Sequence, residues 1–410
     1  MTTTDRTTTD FPGVVSVDDH TVEPADLWTS RLPAKYRDAG PRVVREKIAR
    51  QSSDADGAKA SIEFDVTASK DGDWADIWVY EDKRRPILLL SASVGHPHDE
   101  MDFRATTYDD MRPGCYDPKA RVADMDMAGV EASLCFPNME PVRFCGQGFL
   151  EGKDKDLSLL CVRAYNDWML DEWCGPSSGR LVPLGIIPLW DAQLAADEIR
   201  RTAARGMRAI CFSEAPAFLG LPSIHTDYWD PVFRACEETS TVLMIHIGSS
   251  SRLTMPSDDA PLIMGTALLT NNVTMTLVDW VFSGVFEKFA DLKVALAECQ
   301  IGWVPYFLQI SDEIWDLHKG LTHNLKITRS PSSYFRTNMY VSAFNDNYGL
   351  HNLDWVGVDQ VLLETDYPHS QTTWPDSKSI IQQQCESAGL DRTSVEKITR
   401  GNARKLFRLD

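Results

Sequence analysis

The sequence is short of positive charge, has no apolar run longer than a strand, and contains no CxxC pair. Its 410 residues carry 41 Lys and Arg against 60 Asp and Glu, a formal net charge of −19. That balance argues against binding nucleic acid or an anionic membrane surface, since both need basic patches. A transmembrane helix needs about 20 consecutive apolar residues, and none are present. The opening MTTTDRTTTD lacks the apolar core of a secretory signal, so a polar, disordered tail over residues 1–12 and a cytoplasmic location are expected. The nine cysteines are odd in number, and Cys135, Cys161, Cys211 and Cys236 lie inside apolar segments. This pattern reads as reduced, buried thiols rather than a disulfide framework or a cysteine zinc site.

Eight strand-sized apolar runs recur along the chain: Val14–Asp19, Glu131–Phe136, Arg180–Pro188, Met207–Ser213, Thr241–His246, Leu292–Glu298, Arg336–Ser342 and Asp359–Thr365. Helix-period segments lie between them, including Pro118–Met127, Asp154–Trp173, Asp191–Ala204 and Gly302–His318. Near-continuous apolar strands alternating with helices indicate a parallel sheet buried on both faces. Eight such units predict an α/β fold of the (β/α)8 TIM barrel type over residues 13–410. An open doubly wound sheet would prefer a glycine-rich phosphate turn after its first strand, where this chain has DDHTVEP. Residues 32–116 break the repeat and read as an insertion over the active-site mouth, with a small hairpin near Trp78–Tyr80.

Barrel enzymes draw their chemistry from the C-terminal ends of the strands. Here the first strand ends in Asp18, Asp19 and His20, and period 2 puts Asp18 and His20 on one face with Asp19 on the other. The fifth ends in His246, the sixth in Glu298 and the eighth in Asp366. Carboxylates buried together raise one another's pKa values unless a cation neutralises them, and a divalent metal takes both carboxylate and imidazole. Weaker candidates are His225 and Trp303, which would reach substrate at the mouth, Glu214 as a polar pocket residue, and the HxH pair His96 and His98 in the insertion.

These residues carry a resemblance. DxH at Asp18–His20, the strand-end His246, ETDYPH at Glu364–His369 and RGNARKLF at Arg400–Phe407 resemble the amidohydrolase-related family. Its nearest branch includes aminocarboxymuconate-semialdehyde and resorcylate decarboxylases. The match runs from about Val14 to Leu409, and DDHxxEP with IGWxPYFL is similar to a bacterial subgroup that includes dinuclear monooxygenases. The resemblance implies a barrel with the metal ligands Asp18, His20, His246 and Asp366. Family decarboxylases place a His after the sixth strand, where this chain has Glu298.

That change makes the rim rich in carboxylate: Asp18, Glu23, Glu298 and Asp366 join His20, His246 and His369. Seven candidates exceed the needs of one zinc, so a dinuclear iron or manganese site is favoured, with a single zinc as the alternative. Glu298 and Asp366 are the expected catalytic groups. The favoured activity is an O2-activating monooxygenase on a small polar molecule. A mononuclear hydrolase or decarboxylase is the alternative, and a metal-binding structural subunit beside a related barrel is a third. A homo-oligomer, or a hetero-oligomer with such a barrel, is expected.

Overall fold

The computed structural model describes residues 11–49, 66–97, 99, 101–102, 104–257, 259–321, 323 and 325–409. The tail up to residue 10 and His98 lie outside these described residues. Eight parallel strands form the centre: β1 (Val14–Thr21), β2 (Val130–Pro137), β3 (Leu181–Val182 and Leu184–Gly185), β4 (Ala209–Phe212), β5 (Val242–His246), β6 (Val294–Ala297), β7 (Met339–Ala343) and β8 (Val361–Leu363). Each pairs in parallel with the next, and β8 returns to β1 through Ser16 and Leu363, which closes the barrel. Closure rules out the open sheet. Strand β3 is interrupted at Pro183, which has no N–H to give the ladder. Its first half pairs with β2 and its second with β4.

Every residue of β1, β4, β5 and β6 is buried, as expected of strands covered by helices outside and packed side chains within. The helices start where local chemistry allows. Asp117 accepts from the Ala120 N–H at 2.8 Å ahead of the helix Pro118–Ala128. That helix ends at Gly129, whose φ of +72° suits a residue without Cβ. Asp191 caps Ala192–Ala203 through the N–H groups of Gln193 and Leu194. One boundary departs from the sequence reading. Residues Arg336 to Asn338 belong to the helix Pro331–Asn338, and β7 begins at Met339. The Asn338 amide donates to the Ala290 and Leu292 carbonyls and anchors the helix end beside β6.

Between β1 and the helix Pro118–Ala128 lies a three-stranded antiparallel sheet of Arg42–Ile48, Asp73–Tyr80 and Lys83–Pro86, with a hairpin at Tyr80 and Lys83. The segment that follows lies against loops leaving β2 and β8. Ser93 and Val94 donate to the Pro368 carbonyl, Ser370 donates to the Leu90 carbonyl, and Asn138 donates to the Ser91 carbonyl. No helix among the described residues is long and apolar enough to cross a membrane.

Candidate metal centre

At the C-terminal ends of the strands the fold brings together Asp18, His20, His246, Glu298 and Asp366. His20 Nε2 lies 3.5 Å from Asp18 Oδ1 and 3.6 Å from Asp366 Oδ1. His246 Nε2 lies 3.5 Å from Asp18 Oδ2 and 3.2 Å from Glu298 Oε2. His369 joins from the loop after β8, with Nδ1 3.1 Å from Asp366 Oδ1 and its ring stacked on His20 at 3.7 Å.

The two central imidazoles are the informative pair. Their Nδ1 atoms face backbone carbonyls, His20 that of Pro137 at 3.2 Å and His246 that of Ile247 at 2.5 Å. A carbonyl only accepts, so each Nδ1 carries the proton. Burial holds both rings well below the ordinary histidine range, His246 down to about 3, so neither is imidazolium. Their Nε2 lone pairs therefore face each other at 3.1 Å with no proton between them. Both oxygens of Asp18 and both of Asp366 are buried without a hydrogen-bond partner. Two opposed lone pairs and four orphaned carboxylate oxygens are costly alone and are satisfied together by one cation. Burial, then the neighbouring carboxylates, pushes Asp18 far above its usual range; burial and Asp366 do the same to Glu298. Such mutual repulsion is what a divalent ion removes.

The positions of the two carboxylates beyond the strands depend on unusual backbone. Glu298 has φ +55° and Asp366 φ +52°, a left-handed conformation that costs a side-chain-bearing residue. Three further side chains hold this geometry, and none had been assigned a role from sequence. Glu364 Oε2 accepts from the Glu298 N–H at 3.1 Å and from the Ser342 hydroxyl, locking the turn after β6. Period 2 places Glu364 on the Asp366 face of the strand, so that signal was available. Arg121 is fully buried and donates to the His20 carbonyl at 2.5 Å. Phe144, at φ +51°, stacks on His246 at 4.6 Å. Nothing in local sequence marks the last two.

Asp19 points away from the cluster, as the strand period predicts. It bonds the Ser16, Ser133 and Thr365 hydroxyls and the Tyr367 N–H, tying β1 to β2 and β8.

Other candidates fall elsewhere. Glu23 is buried beyond β1, where Oε1 accepts from the Asn138 N–H at 3.2 Å; burial raises its pKa, and Glu140 adds to the rise. It is not gathered with Asp18 and Asp366, because the chain has turned toward the β2 loop. His225 is 47% exposed and paired with Asp279 at 2.6 Å. The Trp303 indole donates to the Cys299 carbonyl at 2.7 Å and packs at the start of its helix. The Glu214 carboxylate is taken up by Ser250, Gly248 and Asn272 and holds the loop after β5. His96 is half-buried in the insertion, its N–H on the Ser93 carbonyl.

The possible ligand groups, Asp18–His20–His246 and His20–Asp366–His369, share His20. Its Nδ1 is committed to Pro137, leaving one lone pair, which serves one ion. The expected dinuclear iron or manganese centre therefore lacks support: among the described residues Glu23 is in neither ligand group, and both groups rely on His20.

A closed barrel with imidazoles and carboxylates converging at the strand ends defines a metal-dependent enzyme of the α/β barrel class. A family model described as Amidohydrolase, Amidohydro_2, matches residues 74–409, and the chain belongs to that family. Gamma-resorcylate decarboxylase of Rhizobium sp. (strain MTP-10005) is 22% identical over 320 residues, covering 71% of this chain and 86% of the relative. An amidohydrolase of Mycobacterium avium subsp. paratuberculosis K-10 superposes with TM-score 0.67 at 20% identity, over 97% of this chain and 99% of that one. The 5-carboxyvanillate decarboxylase of Novosphingobium aromaticivorans DSM 12444, solved with manganese and 3-methoxy-4-hydroxy-5-nitrobenzoic acid, superposes with TM-score 0.58 at 20% identity, over 72% and 82%. Two of these three are named carboxy-lyases and none an oxygenase. The expected preference for a monooxygenase therefore gives way to the decarboxylase alternative.

Proposed function

We propose that the protein is a carboxy-lyase that removes CO2 from a small, aromatic-type organic acid with the help of one divalent ion, manganese being favoured. The observation that carries the metal is the opposed Nε2 pair ringed by orphaned carboxylate oxygens. The related decarboxylases carry the reaction class. Asp18, His20, His246 and Asp366 would hold the ion, with Glu298 Oε2 at its edge. Bound there, a divalent ion supplies a Lewis acid that steadies negative charge on the substrate.

The chain's own residues then have separable tasks. Hydrogen bonds from His20 and His246 to backbone carbonyls fix both rings in one tautomer. Loss of CO2 breaks a C–C bond and leaves its electron pair on the substrate carbon, which needs a proton. Glu298 stands at the position of the family's His, and burial favours its protonated form, so it is the proposed donor. Asp366, touched by His369, holds the other side of the site.

A carboxylate at position 298 also favours a second reading, a hydrolase in which Glu298 takes a proton from water. The experiment is anaerobic assay of manganese- and zinc-loaded protein against hydroxybenzoates, including 2,6-dihydroxybenzoate and 5-carboxyvanillate, and against lactones and amides. CO2 release without oxygen uptake is expected. Hydrolysis of a lactone or amide with no CO2 from any acid would overturn the carboxy-lyase reading.

A further inference from the structure

A cleft of about 660 Å³ opens among the loops that leave β2, β4 and β5, all on the same end of the barrel as the metal ligands. Gln147, Glu151, Phe218, Ser250 and Arg252 are among its lining residues. The loop carrying Ser250 and Arg252 begins at His246, so the cleft and the metal cluster share one short stretch of chain. A second link runs through Arg143, which donates to Ser251 at 2.8 Å and to Glu151 at 2.6 Å. The next residue is Phe144, whose ring stacks on His246.

Most polar groups of this wall are already matched. Glu214 takes the Ser250 hydroxyl, Gln147 takes that of Ser251, and Arg143 and Lys83 neutralise Glu151. Arg252 differs. Its guanidinium lies over the Phe218 ring at 4.5 Å, and among the described residues no carboxylate is within ion-pair distance of it. Asn272 donates to its backbone carbonyl at 2.8 Å and fixes the base of the side chain. In a chain of net charge −19, a stacked guanidinium with no carboxylate partner among the described residues, at the rim of a cleft, is a ready carboxylate receptor.

We infer that this cleft binds substrate and that Arg252, held on Phe218, takes an acidic group at the end remote from the metal, so the substrate class is a dianionic small acid. The inference rests on the carboxy-lyase reading only for the group placed at the metal.

The test uses full-length, manganese-loaded protein and two simple acids in titration calorimetry: benzoate, with one carboxylate, and benzene-1,3-dicarboxylate, with two. The dicarboxylate is expected to bind at least tenfold more tightly than benzoate. Arg252→Gln should abolish that gap with metal content unchanged, and Arg252→Lys should retain part of it. Phe218→Ala removes the ring beneath the guanidinium and should narrow the gap severalfold. Equal affinity for the two acids in the parent protein, binding of neither, or a gap that persists in Arg252→Gln overturns the assignment. The failures are distinguishable. CO2 release without a gap sinks the Arg252 site alone, whereas a gap that depends on Arg252 without CO2 release from any acid sinks the carboxy-lyase reading alone.

Discussion

Glu298 and Asp366 show how single residues pay for the site: each adopts a left-handed backbone and gains a place in the cluster. Glu23 is a buried acid of a different kind. It lies outside the cluster, its Oε2 has no partner, and burial lifts it from 4.5 to about 8. The sign of its effect on stability follows. The unfolded chain releases this proton near the ordinary carboxylate value, while the fold keeps it until about pH 8. The stabilisation is full below the lower value and is lost progressively as pH rises toward the higher one, a few kcal/mol at roughly 1.4 per unit. Glu23→Gln is therefore expected to raise Tm at pH 8 by several degrees and to leave it little changed near pH 4.5. Melting curves at the two pH values check this, and an equal shift at both would count against a titrating Glu23.

At the scale of elements, the turn after β6 depends on β7 and β8. Ser342 and Glu364 both bond the Glu298 N–H, and Glu364 also takes the Ser342 hydroxyl. Glu364→Ala would remove one of two acceptors from the Glu298 N–H and one of two from the Ser342 hydroxyl, a cost of about 1 kcal/mol per lost bond. The expected result is a ten- to hundredfold fall in kcat with metal content near that of the parent, measured by elemental analysis beside turnover. Loss of metal in proportion to activity would instead make Glu364 part of ion binding. The strands themselves were legible because a parallel barrel buries both faces, so VLMIH and VALA read as apolar throughout. Strand ends then located Asp18, His20, His246, Glu298 and Asp366. Glu23 was misplaced because a turn after β1 carries no periodicity to follow. The partner of His225 is Asp279, 54 residues away, a contact that leaves no local pattern. The contacts of Phe144 and Arg121 arise from tertiary packing and leave no local pattern.

For the whole molecule the proposed ion would be a structural tie as well as a reagent, since the residues that would hold it come from β1, β5 and the loop after β8. Without an ion, the opposed demands of the cluster act on stability from both sides. The acids Asp18, Glu298 and Asp366 have folded pKa values above their unfolded ones, so their contribution falls as pH rises. His20, His246 and His369 are pushed down by burial, the last two to about 3, so theirs falls as pH drops below about 6.5. An ion replaces the protons that the proposed ligand acids Asp18 and Asp366 would otherwise hold, so its binding strengthens as pH rises. Chelation is thus expected to lower Tm, and the gap between loaded and stripped protein should widen from pH 5.5 to pH 8. Scanning calorimetry with manganese or a chelator at each pH measures it. A gap independent of pH would mean that the ion does not displace protons from these carboxylates, and a Tm indifferent to chelation would remove the ion from the fold altogether.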